Sequence, residues 1–175
     1  MIYTKKEQIM ATAIFYASST GNTEIISKVI SKQLGDIELI DIADDGISKI
    51  NDYDKVIFGV PTWGDGELQD DWEDEWDNFQ EIDFSNKTIA LFGLGDQEGY
   101  GENYLDAMGI VYEYLSEVNA NVVGRWAVTD EYFHDEYRAI VDDMFVGLAL
   151  DEDNQEDLSE ERITKWCESI SQDIL

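Results

Sequence analysis

Short apolar runs alternate along the chain with segments whose apolar residues recur every three or four positions, the pattern of parallel β-α-β construction. Ala11 to Tyr16 (ATAIFY) predicts a buried first strand. Ile25, Ile26, Val29, Ile30 and Leu34 then share one face of a helix over Thr23 to Leu34, which Gly35 ends. Ile37 to Ile42 (IELIDI) mixes apolar and acidic positions, as an edge strand with one wet face does. Lys55 to Val60 (KVIFGV) and Lys87 to Gly93 (KTIALFG) are almost continuously apolar, which central strands covered on both faces require. Asn103 to Val118 places Tyr104, Leu105, Met108, Val111, Tyr112 and Leu115 at helical spacing. Beyond it, Val122 to Val128 and Phe145 to Leu150 both read as strand, while Thr129 to Asp143 between them is polar and acidic. One last strand, interrupted by a surface excursion of roughly twenty residues, accounts for both. Leu158 to Leu175 closes the chain as a helix started by Ser159, with Glu160 and Glu161 in its first turn. The pattern implies a doubly wound, five-stranded α/β sheet forming one domain over residues 10–175, after a short tail over residues 1–9.

Composition removes several functions. The chain of 175 residues carries 11 Lys+Arg against 40 Asp+Glu, a formal charge of -29. Nucleic acid and anionic membrane surfaces would repel it. Disorder is excluded by the 43% hydrophobic and 12% aromatic content, ample for a packed core. The one Cys, Cys167, rules out an internal disulfide and a Cys-rich metal site, and fits a reducing cytoplasmic setting. No segment approaches ~18 apolar residues, and the polar start predicts neither a signal peptide nor membrane insertion.

In an open parallel sheet, ligands bind outside the carboxyl ends of the strands, so the loops after strands 1, 3 and 4 carry the candidate chemistry. Ser18-Ser19-Thr20-Gly21-Asn22-Thr23 combines four hydroxyls, a Gly and a helix start, a nest suited to a phosphate monoester. The Lys of a triphosphate-binding P-loop is missing. An ordinary Ser/Thr-rich helix cap has the same composition; position in the fold favours the nest. After strand 3 comes Pro61-Thr62-Trp63-Gly64-Asp65, with a Trp in an unusual loop position. After strand 4, four Gly surround Tyr100 between Gly93 and Asn103. Each aromatic alone reads as packing; two at neighbouring strand mouths, beside a phosphate nest, suit a planar ring with a phosphate tail.

These motifs resemble flavodoxins over essentially the whole chain: S-x-T-G-x-T after strand 1, P-T-W after strand 3, G-D-Q-x-G-Y after strand 4, and GLALDEDN at Gly147 to Asn154. The interrupted last strand is similar to that of the long-chain subgroup. The resemblance implies strand order 2-1-3-4-5 and non-covalent FMN as cofactor, with Ser18 to Thr23 holding its phosphate. It also implies Trp63 and Tyr100 over the two flavin faces, Gly93, Asp96 and Asn103 beside the pyrimidine edge or in its supporting loop, and Asp151 close to Trp63. The Gly64-Asp65 peptide corresponds to one that flips toward the flavin N5, and Gly64 lowers the cost of that flip, so a stabilised neutral semiquinone is expected.

The implied function is low-potential, single-electron transfer between semiquinone and hydroquinone, by a carrier and not an enzyme. Its expected partners are basic-surfaced redox proteins such as ferredoxin–NADP reductase or photosystem I, met as a monomer. An FMN-dependent quinone reductase is the alternative, and it would need room over the flavin. A receiver-type signalling domain would want acids at the end of strand 1, where Tyr16-Ala17-Ser18 has none. His134 reads as solvated, and Cys167 as partly buried and inert. Between Val56 and Asn86 there is no basic residue, and acids crowd the stretch after Trp63. Ten carboxylates ~12 Å from a flavin would together shift a one-electron potential by only about 40 mV under screening. Selecting basic partners is the larger effect expected of them.

Overall fold

The computed structural model describes residues 11–133 and 137–175. The expected tail over residues 1–9 and His134 lie outside the described residues. In chain order the elements begin with β1 (Thr12–Tyr16), α1 (Asn22–Gln33), β2 (Glu38–Asp41), α2 (Ile42–Asp45), β3 (Lys55–Trp63), β4 (Glu67–Leu68), α3 (Asp70–Asp74) and α4 (Trp76–Gln80). They continue with β5 (Thr88–Leu94), α5 (Asp106–Glu117), β6 (Asn121–Val123), β7 (Trp126–Ala127), β8 (Ile140–Val141), β9 (Met144–Phe145), β10 (Leu148–Leu150) and α6 (Glu156–Ile174).

The main sheet runs β2-β1-β3-β5-β10 with parallel pairing throughout that path. This is the order 2-1-3-4-5 when β6 and β10 are counted as two pieces of one strand. Both pair with β5, β6 along Thr88–Ala90 and β10 along Phe92–Leu94. Successive residues of the strands face opposite layers. Ile14, Ile57, Ala90 and Phe92 pack with Ile26 and Ile30 of α1 and Ile163, Trp166 and Ile170 of α6. Ala13, Phe15, Phe58 and Leu91 pack with Trp72, Phe79, Met108 and Val111 of α3, α4 and α5. Double coverage is why the central strands lack a polar alternation.

The structure corrects the sequence reading at three places. The excursion does not start at Thr129: Gly124, at φ 81, turns the chain out of the sheet, so Trp126 and Ala127 join β9 and β8 in a separate antiparallel sheet. Nor is it a surface excursion. Tyr132, Tyr137 and Phe145 are buried, with Tyr132 and Tyr137 ring centroids 4.7 and 6.2 Å from Phe145, and Tyr137 5.2 Å from Tyr104. Its net polarity hid this anchorage, since three buried rings suffice to fasten a polar segment. Finally, α6 begins at Glu156, and the Ser159 hydroxyl donates to Glu152 instead of capping the helix.

The acidic stretch after Trp63 is two short helices. Gln69 caps α3 by accepting from the Asp71 N–H at 2.9 Å. Trp72 and Phe79 turn inward from this segment, and the Trp72 indole donates to Gly59 O at 3.1 Å. Among the described residues no helix is long and apolar enough to cross a membrane.

Candidate cofactor site

A cavity of about 250 Å³ lies at the carboxyl ends of β1, β3 and β5, where the loops from the three strands meet. After β1 the chain reaches α1 through Gly21, held at φ 95, whose N–H donates to Ser18 Oγ at 3.0 Å. The first bond of α1 runs from the Ile25 N–H to Gly21 O at 3.0 Å, and no side-chain hydrogen bond caps this helix start. Ser18, Ser19, Thr20, Asn22 and Thr23 line the cavity beside it, and among the described residues no Lys or Arg does. The single acid in the first turn, Glu24, is engaged by Lys28 at 2.7 Å. An uncapped helix start ringed by hydroxyls offers an anion neutral donors and the positive end of a helix dipole.

Trp63 is the last residue of β3 and belongs to a hairpin, paired with Glu67 while Thr62 pairs with Leu68. The turn holds Gly64 at φ 50 and Gly66 at φ 92, and a Cβ on Gly64 would stand 2.9 Å from Glu67 Oε2. Thr62 Oγ1 accepts from the Ala107 N–H at 3.1 Å, fastening the hairpin to the start of α5. Pro61, Thr62, Trp63 and Gly64 line the cavity. After β5, Asp96 and Tyr100 do the same. Trp63 and Tyr100 are 40% and 51% exposed, large aromatic surfaces left unpacked at one opening.

The remaining sequence candidates do not line the cavity. Gly93 is within β5, where an added Cβ would meet Met108 and Leu105 of the α5 region at 3.1–3.2 Å. Asn103 donates to Asp106 Oδ2 at 3.0 Å, Gly21 shapes the start of α1, and Asp65 occupies the hairpin turn. Asp151 is fully buried, and its side-chain hydrogen bonds among the described residues run to Gln97 and Asn154, with none to Trp63. It therefore supports the loop after β5 from behind.

The flavodoxin family model matches residues 14–166. The chain belongs to the flavodoxin family. It is 46% identical over 160 residues to a flavodoxin of Picosynechococcus sp., covering 90% of this chain and 94% of the relative. It is 44% identical over 165 residues to flavodoxin 1 of Escherichia coli strain K12, covering 93% and 94%. The crystal structure of Fusobacterium nucleatum flavodoxin bound to flavin mononucleotide superimposes with a TM-score of 0.88 at 32% identity, covering 94% of this chain and 99% of that one.

Five residues at the site were not among the sequence-predicted site residues; Leu94 and Gly95, at the end of β5, line the cavity. Glu152 and Asp153 also line the cavity. Their signal was the acid cluster immediately after the last strand, in the run quoted as Gly147 to Asn154. Gln69, 3% exposed, donates from Nε2 to Ser19 Oγ at 3.1 Å and so ties the loop after β1 to α3. Nothing in its sequence neighbourhood marks it, because the contact spans fifty residues.

Charge at the site is uneven. Burial would raise the Asp96 carboxyl, but hydrogen bonds from the Gly99 N–H, Asn154 and the Glu98 N–H, at 2.8, 2.8 and 3.0 Å, outweigh it and hold the group below its ordinary value. Glu152 and Asp153 are pushed the other way, by burial first and then by neighbouring carboxylates. Elsewhere, burial raises the Cys167 thiol to about 11, as an inert cysteine requires. Among the described residues no cluster of metal-ligating side chains is present.

Proposed function

We propose that this flavodoxin binds one FMN non-covalently in the cavity between Trp63 and Tyr100 and works as a single-electron carrier. The observation that carries the reading is that an uncapped helix start with four hydroxyl residues and two exposed aromatics all line one cavity. That donor set fits the group: neutral N–H and O–H donors can hold a dianion inside a protein of charge -29, where among the described residues no Lys or Arg lines the cavity. Ser18, Ser19, Thr20, Asn22 and Thr23 would hold the phosphate, with Gly21 setting the turn. Trp63 and Tyr100 would pack against the ring, while Gly64, Asp65 and Asp96 bring backbone and polar groups to its edge. Gly93, Asn103 and Asp151 would keep the loop after β5 in place.

FMN, when bound, supplies the one-electron chemistry; the chain binds it, orients it and limits water around it. The quinone reductase reading needs an open flavin face, and aromatic side chains at both strand mouths favour a carrier over it. Cytoplasmic basic redox proteins, such as ferredoxin–NADP reductase or photosystem I, suit this acidic surface as partners for a monomer.

The test is titration of apoprotein with FMN and with riboflavin, followed by quenching of flavin fluorescence. FMN should bind with one-to-one stoichiometry and riboflavin, which lacks the phosphate, more weakly. Thr20→Val should weaken FMN and leave riboflavin unchanged. Absence of FMN binding, or equal affinity for the two flavins, overturns the assignment.

A further inference from the structure

Gln69 follows β4 directly, so it hangs from the hairpin that carries Trp63, yet its side chain ends on the loop after β1. It is buried, and both ends of its amide are fully engaged. Oε1 accepts from the Asp71 N–H at 2.9 Å and the Trp72 N–H at 3.3 Å, while Nε2 donates to Asp71 Oδ2 at 2.6 Å and to Ser19 Oγ at 3.1 Å. The two backbone donors at the start of α3 admit only an oxygen, so the amide cannot turn over. Its nitrogen must face Ser19.

An amide nitrogen has only hydrogens to offer, so the Ser19 oxygen accepts and its own proton is left to point elsewhere. Among the described residues Ser19 donates that proton to no partner. Asp96, Glu152 and Asp153 line the same cavity as Ser19, and none of them accepts from it. The Ser19 side chain is exposed at the cavity beside Thr20 and Asn22. With no cation in the lining, an anion there depends on hydroxyls that present a hydrogen, because a lone pair would repel it.

Resting on the reading of this loop as the phosphate-binding end, we infer that Gln69 is a positioning residue that turns the Ser19 hydroxyl into a donor toward the FMN phosphate. Apoprotein is titrated with FMN and with riboflavin, by quenching of flavin fluorescence, in the parent, Ser19→Ala, Gln69→Glu and the double variant. Gln69→Glu keeps an oxygen for the α3 N–H groups but presents a second one to Ser19, whose proton it then takes. It should weaken FMN about tenfold in the parent and at most about twofold in the Ser19→Ala background, with riboflavin unchanged in both. Gln69→Met, of similar length and without added charge, is carried through the same cycle and should cost about threefold in the parent and nothing beside Ser19→Ala, so the test stands even where Gln69→Glu fails to fold. An equal loss in the two backgrounds, or a loss shared by riboflavin, overturns the positioning role. A parent protein that binds riboflavin as tightly as FMN overturns instead the reading of the loop on which it rests.

Discussion

Gly64 shows how a single residue constrains this site. At φ 50 it occupies left-handed backbone that costs an L side chain roughly 1–2 kcal/mol, and its Cβ would press on the Glu67 carboxylate at 2.9 Å. Gly64→Ala is expected to destabilise the protein by about 1–2 kcal/mol in urea unfolding, with an unchanged m-value, and to weaken FMN by displacing Trp63. Titration at Asp96 and Glu152 has opposite signs. Asp96 is held low, so its contribution is present above the unfolded value of 3.8 and is lost as pH falls through its folded value. Asp96→Ala should therefore destabilise at pH ~7, and the difference from the parent should shrink in acid. Glu152 is raised above 4.5, so it penalises the folded state at neutral pH and ceases to do so below that value. Glu152→Gln, which keeps an acceptor for the Ser159 hydroxyl, should stabilise the protein at neutral pH. The gain should vanish in urea titrations carried out below pH ~4.5.

Among the elements, the insertion and the loop after β5 are joined by buried polar contacts. Asp151 accepts from Gln97 N–H and Nε2 at 3.2 and 3.0 Å, and Gln97 Oε1 accepts from the Phe133 N–H at 3.0 Å. Gln155 Nε2 donates to Glu131 O, closing the connection to the insertion. Tyr132 is the other anchor, accepting from the Trp126 indole and donating to Ala149 O, each at 2.8 Å. Tyr132→Phe leaves both partners unsatisfied and should cost about 2 kcal/mol. Far-UV circular dichroism and tryptophan fluorescence should still give coincident urea transitions, because the insertion shares the main core; separated transitions would show that it unfolds alone. The strands and long helices were legible in advance, since periodicity reports coverage directly. The segments missed were α3, α4 and the insertion's sheet, where each piece is too short for a period and its few buried rings are outnumbered by acids.

The charge of -29 acts at the scale of the whole molecule. Self-repulsion opposes the compact state, so added sodium chloride should raise the urea midpoint at neutral pH, most steeply below ~0.1 M. The same salt should slow electron transfer to a basic partner in stopped-flow measurements; rates independent of salt would leave the acidic surface without a steering role.

Residue pattern alone was enough to read the alternation of strands and helices and to pick out the three strand-end loops that meet at the cavity. Hydrophobic period and strand-end position are local quantities, readable from neighbours in the chain. Contacts made at long range lay beyond that reading. Gln69 meets Ser19 and Asn154 meets Asp96 across more than forty intervening residues. Folding likewise left Gly93 and Asp151 outside the cavity lining. Which side chain lines a site and which braces it depends on what packing places at its back, and that is set by the assembled layers.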